Sequence, residues 1–208
     1  TYFFHKLGLS LVDLSYDLGL TPNTITFLSM IAGLYSVYML YIGNTKEAAV
    51  FYIIGYILDC VDGRLARVHN MGSKFGEMFD LVSDMFVNSA LMYVCFFKLY
   101  NKISYQTGLL LLVSVLGTTL WFGLVEAQSS MKKFNNDNFI KIKKEQMKSF
   151  SPLSDIYIKT ISNSYNLYRL LVPIYDENKV NRLISQTRIF GAGNIVVLIF
   201  LILWNIEH

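Results

Sequence analysis

Apolar runs close to twenty residues long, separated by short polar breaks, recur along the chain. The stretch from Thr24 to Ile42 carries no charge, and a helix of ~20 apolar residues crosses a hydrocarbon layer. It reads as a first span. Thr21-Pro22-Asn23-Thr24 opens it with a hydroxyl cap and an early proline, and Gly43-Asn44 stops it. A second span runs from about Ala48 to Val68, with Asp59, Asp62, Arg64 and Arg67 in its C-terminal half. A third runs from about Gly76 to Phe97, with Asp80 and Asp84 in its opening turns. A fourth covers Thr107 to Ala127, uncharged until Glu126, and a fifth covers Ile189 to Trp204. The stretch from Lys148 to Asn181 is apolar but broken by Asp155, Lys159, Asn163, Asn166 and Arg169. It is expected to be a helix at the interface or lining a cavity, with a sixth span as the alternative reading. Ahead of the first span, Phe4, Leu7, Leu11, Leu14 and Leu18 recur at helical spacing beside Lys6, Asp13 and Asp17. Residues 3–20 therefore read as an amphipathic helix lying in the interface plane. No internal repeat is apparent. The expected fold is all-α, a polytopic transmembrane bundle of five spans with an N-terminal interfacial helix, forming one domain over residues 1–208.

Composition narrows the class. Of 208 residues, 53% are hydrophobic and only 16% charged, against about 25% charged in ordinary soluble domains. Mean hydropathy is +0.41. These values exclude a disordered chain and a simple cytosolic enzyme. Cys60 and Cys95 both sit in apolar runs, which excludes a disulfide scaffold. A net charge of +3 is too weak to argue for nucleic acid. The first residues show no basic segment followed by a cleavage site, so no signal peptide is expected. Basic residues near span ends set orientation. Lys132, Lys133, Lys141, Lys143, Lys144 and Lys148 follow the fourth span, which should end in the cytoplasm. Counting back puts Asp59, Asp62, Asp80 and Asp84 near that same face.

Those four carboxylates carry the chemistry. Asp59 and Asp62 are three residues apart and Asp80 and Asp84 four apart, so each pair shares a helical face. Asn88 extends the second stripe and is expected to bridge helices. The loop between the two helices is short, about Asn70 to Phe75, so the carboxylates can converge. Ionisable groups inside a span are costly and usually functional. Four carboxylates are balanced in charge by two divalent cations, and oxygen ligands suit Mg²⁺ or Mn²⁺. A two-metal clamp serves phosphoryl displacement. Gly63 and Ala66 are small residues beside the first pair, Gly76 leaves room one turn before Asp80, and Arg67 offers a bidentate donor for phosphate.

Residues 59 to 84, DCVDGRLARVHNMGSKFGEMFDLVSD, resemble the full signature of the CDP-alcohol phosphotransferase family. Asp59, Asp62, Gly63, Ala66, Arg67, Gly76, Asp80 and Asp84 all stand at its spacing. Eight fixed positions at about one in twenty each give chance odds on the order of 10⁻¹⁰ per start site. The resemblance implies a homodimeric membrane enzyme of six spans that cleaves a CDP-alcohol between its phosphates. An acceptor hydroxyl attacks the phosphorus distal to the cytidine, and CMP leaves. It implies metal ligation by Asp59, Asp62, Asp80 and Asp84, with Asp84 also the general base. Gly63, Ala66, Arg67 and Gly76 match the family's nucleotide-binding positions. The segment Pro22 to Thr26 also resembles a family segment whose Asn and Thr approach the phosphates, here Asn23 and Thr26; capping and packing of the first span is the other reading of that pair. Ser73, in the motif loop, either donates to a phosphate or serves the turn. His69 is expected to be solvated.

Lys132, Lys133, Arg182 and Arg188 all fall near span ends on the cytoplasmic side and can form a pocket for a phosphorylated acceptor; contact with anionic lipid is the competing reading of the lysines. Within the family, CDP-diacylglycerol with a polar acceptor is favoured over CDP-choline or CDP-ethanolamine with diacylglycerol, because Leu81 stands where the second group tends to place His. An intramembrane prenyltransferase would carry its aspartate motifs far apart in the chain, whereas Asp62 and Asp80 are close. A divalent-cation transporter would show repeats and broken helices at the bilayer midplane.

Overall fold

A computed structural model describes residues 11–98, 153–171 and 192–205, with scattered helical positions between 105 and 145. Every described element is helical: α1 over residues 11–17, then α2 (Pro22–Ile42), α3 (Thr45–Val68), α4 (Lys74–Lys98), α5 (Leu153–Leu171) and α6 (Ala192–Asn205). The chain divides into two compact units, one of residues 1–111 with 196–208 and one of residues 112–195. Helices α1 to α4 lie in the first unit, and α5 lies in the second. Most of the fourth span, Thr107–Ala127, falls outside the described residues.

Local chemistry accounts for the helix ends. The Thr21 hydroxyl accepts from the Thr24 amide at 3.2 Å, and Pro22, which has no N–H to leave unsatisfied, begins α2. Gly43 closes α2 in the left-handed region (φ 94°), and the Asn44 amide reaches back to the Met39 carbonyl at 2.8 Å. Asn44 then caps α3 by accepting from the Glu47 amide and donating to the Glu47 carboxylate. At the far end of α3, Asn70 takes the left-handed position (φ 53°), and the Met71 amide closes onto the Ala66 carbonyl at 3.0 Å. Ser73 caps α4, its hydroxyl accepting from the Gly76 amide at 2.9 Å. Turns this short make consecutive helices antiparallel.

Helix α2 buries the small or polar Thr26, Ala32, Gly33 and Ser36 in its middle turns together with the apolar Ile25, Met39 and Leu40 toward its ends, while Phe27, Ile31, Tyr35, Tyr38 and Ile42 are exposed. An outer stripe this apolar is the kind of surface that packs against a bilayer or another protein. Helices Pro22–Ile42 and Lys74–Phe97 are long and apolar enough to cross a membrane.

The inner side of α2 sets the packing. The Ser29 hydroxyl donates to the Gly55 carbonyl at 2.8 Å, and the Ser36 hydroxyl to the Ala48 carbonyl at 2.7 Å. A Cβ added to Gly55 would lie 3.3 Å from the Ser29 carbonyl oxygen and 3.4 Å from the Gly33 nitrogen. Backbones approach this closely only where side chains are missing. On its other side Gly33 faces Val87 of α4, whose Cγ1 a Cβ would meet at 2.6 Å. Helix α2 is thus wedged against both α3 and α4, while the backbones of α3 and α4 stay apart and meet through side chains.

The N-terminal stretch expected to be an amphipathic helix is helical where it is described, over residues 11–17, and it packs on the bundle. Val12 is buried with Ile25, Val61 and Leu65, flanked by Leu11, Leu20 and Leu58, while Leu14 and Leu18 remain exposed. Tyr16 stacks on His69 with ring centroids 3.7 Å apart. The amphipathic stripe therefore splits, one edge docked on the bundle and the other open. Residues 3–10 fall outside the described set.

Candidate active site

The gap between α3 and α4 holds the carboxylates. Asp59, Asp62 and Asp80 each offer one oxygen, and the three lie within 4.8 Å of one another. Helical phase aligns Asp59 with Asp62, and the wedge of α2 brings Asp80 opposite. Asp62 is 1% exposed. Its Oδ1 and the Oδ1 of Asp80 are both buried without a hydrogen-bond partner. Buried acceptors are rarely left this way, and three carboxylates so close repel one another. A cation resolves both problems. The donors are oxygen only, which suits a hard ion such as Mg²⁺ or Mn²⁺. The residues fit a divalent metal.

Asp84 stands one turn farther along α4, and its side chain is exposed. The spacing had suggested that four carboxylates share one point; three form the tight triad, with Asp84 beside them. Its backbone carbonyl accepts from Asn88 Nδ2 at 2.8 Å, and Asn88 Oδ1 accepts from the Tyr52 hydroxyl of α3 at 3.1 Å. Asn88 bridges the two helices as expected. Its partner Tyr52, a buried aromatic in an apolar run, gave no sequence signal that set it apart from the core.

The remaining motif residues gather toward the same end of the bundle. Arg67 is exposed, and its guanidinium lies back over Gly63, where an added Cβ would meet Nη1 at 3.3 Å. Glycine keeps that surface flat for the arginine. Ala66 is half-buried on the next turn. Asn23, Ser73 and Gly76 form one polar cluster: a Cβ on Gly76 would lie 2.6 Å from Asn23 Oδ1 and 3.0 Å from Ser73 Oγ. The room beside Gly76 is filled on this side by the Asn23 amide. Ser73 serves the turn as the α4 cap. The Thr26 hydroxyl is committed elsewhere, donating to Asp62 Oδ2 at 2.5 Å. His69 is not simply solvated: it stacks on Tyr16, and its Nε2 is buried without a partner. Lys132, Lys133, Arg182 and Arg188 lie outside the described residues.

Comparison with known proteins bears on this arrangement. The family model for CDP-alcohol phosphatidyltransferases matches residues 19–154, which contain the whole triad and its flanking helices. An archaetidylinositol phosphate synthase of Pyrococcus horikoshii is 33% identical over 77 residues, 37% of this chain and 41% of that protein. The CDP-diacylglycerol–inositol 3-phosphatidyltransferase of Homo sapiens is 33% identical over 78 residues, 35% of this chain and 36% of that protein. An uncharacterised Aquifex aeolicus protein is 31% identical over 110 residues, 52% of this chain and 55% of that protein. The matches thus span less than two thirds of each relative's length. No solved structure gives a significant match.

Proposed function

The chain belongs to the CDP-alcohol phosphatidyltransferase family, and from that premise we propose that it is an integral-membrane transferase of phospholipid synthesis. It takes a CDP-alcohol, with CDP-diacylglycerol as the donor, and joins the lipid-bearing phosphate to an acceptor alcohol with release of CMP. The observation that carries the reading is the triad of Asp59, Asp62 and Asp80 with two buried, unpartnered oxygens. Asp59, Asp62 and Asp80, together with Asp84, would hold two divalent ions. Bound Mg²⁺ or Mn²⁺ supplies charge neutralisation for a diphosphate and for the displacement at phosphorus.

The chain's own residues do the rest. Arg67 pairs with a phosphate oxygen through its planar fork, and Gly63 and Ala66 keep the helix surface flat beneath it. Asn23 offers an amide donor and Ser73 a hydroxyl at the joined starts of α2 and α4, and Gly76, whose own N–H is taken by Ser73, leaves room for them. Asp84, exposed beside the triad, accepts the proton of the acceptor hydroxyl. That oxygen forms the new bond to the phosphorus distal to the cytidine. The bond to the bridging oxygen breaks, and CMP leaves with its electron pair.

The relatives' names support an acceptor of the inositol class, free or phosphorylated. For a phosphorylated acceptor, Lys132, Lys133, Arg182 and Arg188 supply the countercharge. The working architecture is one functional domain over 1–208 with at least five spans, six by analogy with the family, forming a homodimer with its active site at the cytoplasmic face.

The test is CMP release by detergent-purified protein given CDP-diacylglycerol and Mg²⁺ or Mn²⁺. Inositol, inositol phosphate, glycerol phosphate and serine are offered in turn, and the panel is repeated with Asp84→Asn. Acceptor-dependent release, lost in the folded variant, is expected. Silence on every acceptor would overturn the donor assignment, and near-native turnover by Asp84→Asn would overturn the base.

A further inference from the structure

The strongest feature that the motif does not explain is the contact between Thr26 and Asp62. Thr26 is 4% exposed and Asp62 1% exposed. The Thr26 hydroxyl lies 2.5 Å from Asp62 Oδ2 and 3.1 Å from the Pro22 carbonyl one turn back. A hydroxyl has one proton to donate, and the shorter, charge-assisted contact takes it. The other Asp62 oxygen, Oδ1, is buried with no partner, and Asp62 belongs to the triad. The two oxygens of one carboxylate thus have separate assignments: Oδ2 is held from α2, and Oδ1 is left for the triad.

We propose that Thr26 is a positioning residue that makes Asp62 a one-oxygen metal ligand, and that it thereby sets the choice of ion. This is the role of its hydroxyl in place of a contact with the nucleotide phosphates. The inference rests on the metal reading of the triad. An oxygen holding a short hydrogen bond from a buried hydroxyl is not free to swing onto the ion. Asp62 therefore binds through Oδ1 alone, as the small octahedral Mg²⁺ or Mn²⁺ prefers. Ca²⁺, which accepts six to eight oxygens and readily takes both atoms of a carboxylate, is disfavoured. The rigid stitching of α2 to α3 through Ser29–Gly55 and Ser36–Ala48 holds the hydroxyl at its distance. Serine at position 26 would keep the donor; valine would keep the shape and lose it.

The experiment measures equilibrium binding of Mn²⁺, and of Ca²⁺ in competition with it, to detergent-purified protein by electron paramagnetic resonance of free Mn²⁺. Removing a partner of a metal ligand costs about 10- to 100-fold in affinity, so Thr26→Val should weaken Mn²⁺ by that factor, while Thr26→Ser stays within about threefold of wild type. With Oδ2 released, Ca²⁺ should lose less than Mn²⁺, so the Ca²⁺-to-Mn²⁺ affinity ratio rises in Thr26→Val. A purely structural role would lower both affinities alike. Unchanged Mn²⁺ affinity in Thr26→Val, or equal losses for both ions, overturns the proposal. If Thr26→Val does not fold, Thr26→Ala carries the same two readouts. Failure of the metal reading looks different: wild type would bind no Mn²⁺, or would bind it as tightly after Asp59→Asn and Asp62→Asn.

Discussion

Replacing Gly76 with alanine separates the stability of the bundle from its chemistry. Gly76 is the third residue of α4, where alanine is the better helix former by up to about 1 kcal/mol. The added methyl would lie 2.6 Å from Asn23 Oδ1 and 3.0 Å from Ser73 Oγ. For ordinary contact the Asn23 amide must give way by about 0.8 Å. Asn23 is half-buried in the first turn of α2, so its side chain can rotate without moving the helix. Rotation about one side-chain bond costs about 1 kcal/mol, which offsets the helix gain, and the unfolding midpoint should move by no more than a few degrees. Activity should not be spared. A displacement near 1 Å of a positioning group costs up to about 10²-fold, so kcat/KM for the CDP-alcohol should fall about 10- to 100-fold. The assay is acceptor-dependent CMP release alongside thermal unfolding in the same detergent. A cycle with Asn23→Ala identifies the route: if Gly76→Ala acts by displacing Asn23, the double variant is no worse than Asn23→Ala alone. Near-native kcat/KM in Gly76→Ala, or additive losses in the double variant, would refute the reasoning.

Other substitutions probe other joints. Gly33→Ala would drive a methyl to 2.6 Å from Val87 Cγ1 and 3.1 Å from Cγ2; overpacking of this kind costs about 1–3 kcal/mol. The loss should appear in thermal unfolding and be largely restored by adding Val87→Ala. Tyr52→Phe removes the 3.1 Å bond to Asn88 and should cost about 0.5–1.5 kcal/mol of stability. An unchanged unfolding midpoint would show that the α3–α4 bridge carries no net energy. Arg67→Lys keeps the charge but loses the fork that lies over Gly63; KM for the CDP-alcohol should rise about tenfold with a smaller change in kcat, one lost bidentate bond being worth about 1.5 kcal/mol. A wild-type KM would remove Arg67 from the phosphate contacts.

Much of the molecule was legible along the chain because its causes are local. The apolar runs expected to be the first and third spans are the helices α2 and α4, which are long and apolar enough to cross a membrane. Thr21-Pro22 and Gly43-Asn44 mark ends through their own dihedral and donor chemistry, and α2 and α3 begin and stop there. The three- and four-residue spacings of Asp59, Asp62, Asp80 and Asp84 fix faces by helical phase alone. Tertiary structure decided which faces meet. It seated α2 between α3 and α4 through Gly33, Gly55 and Val87, turned Thr26 onto Asp62 and Asn23 onto Gly76, and stacked Tyr16 on His69. It also gathered three carboxylates into the triad and left Asp84 exposed alongside. Phase within a helix repeats every 3.6 residues whatever surrounds it. The rotation and depth of one helix against another depend on where side chains are small enough to let backbones approach, and that is a property of pairs of distant residues.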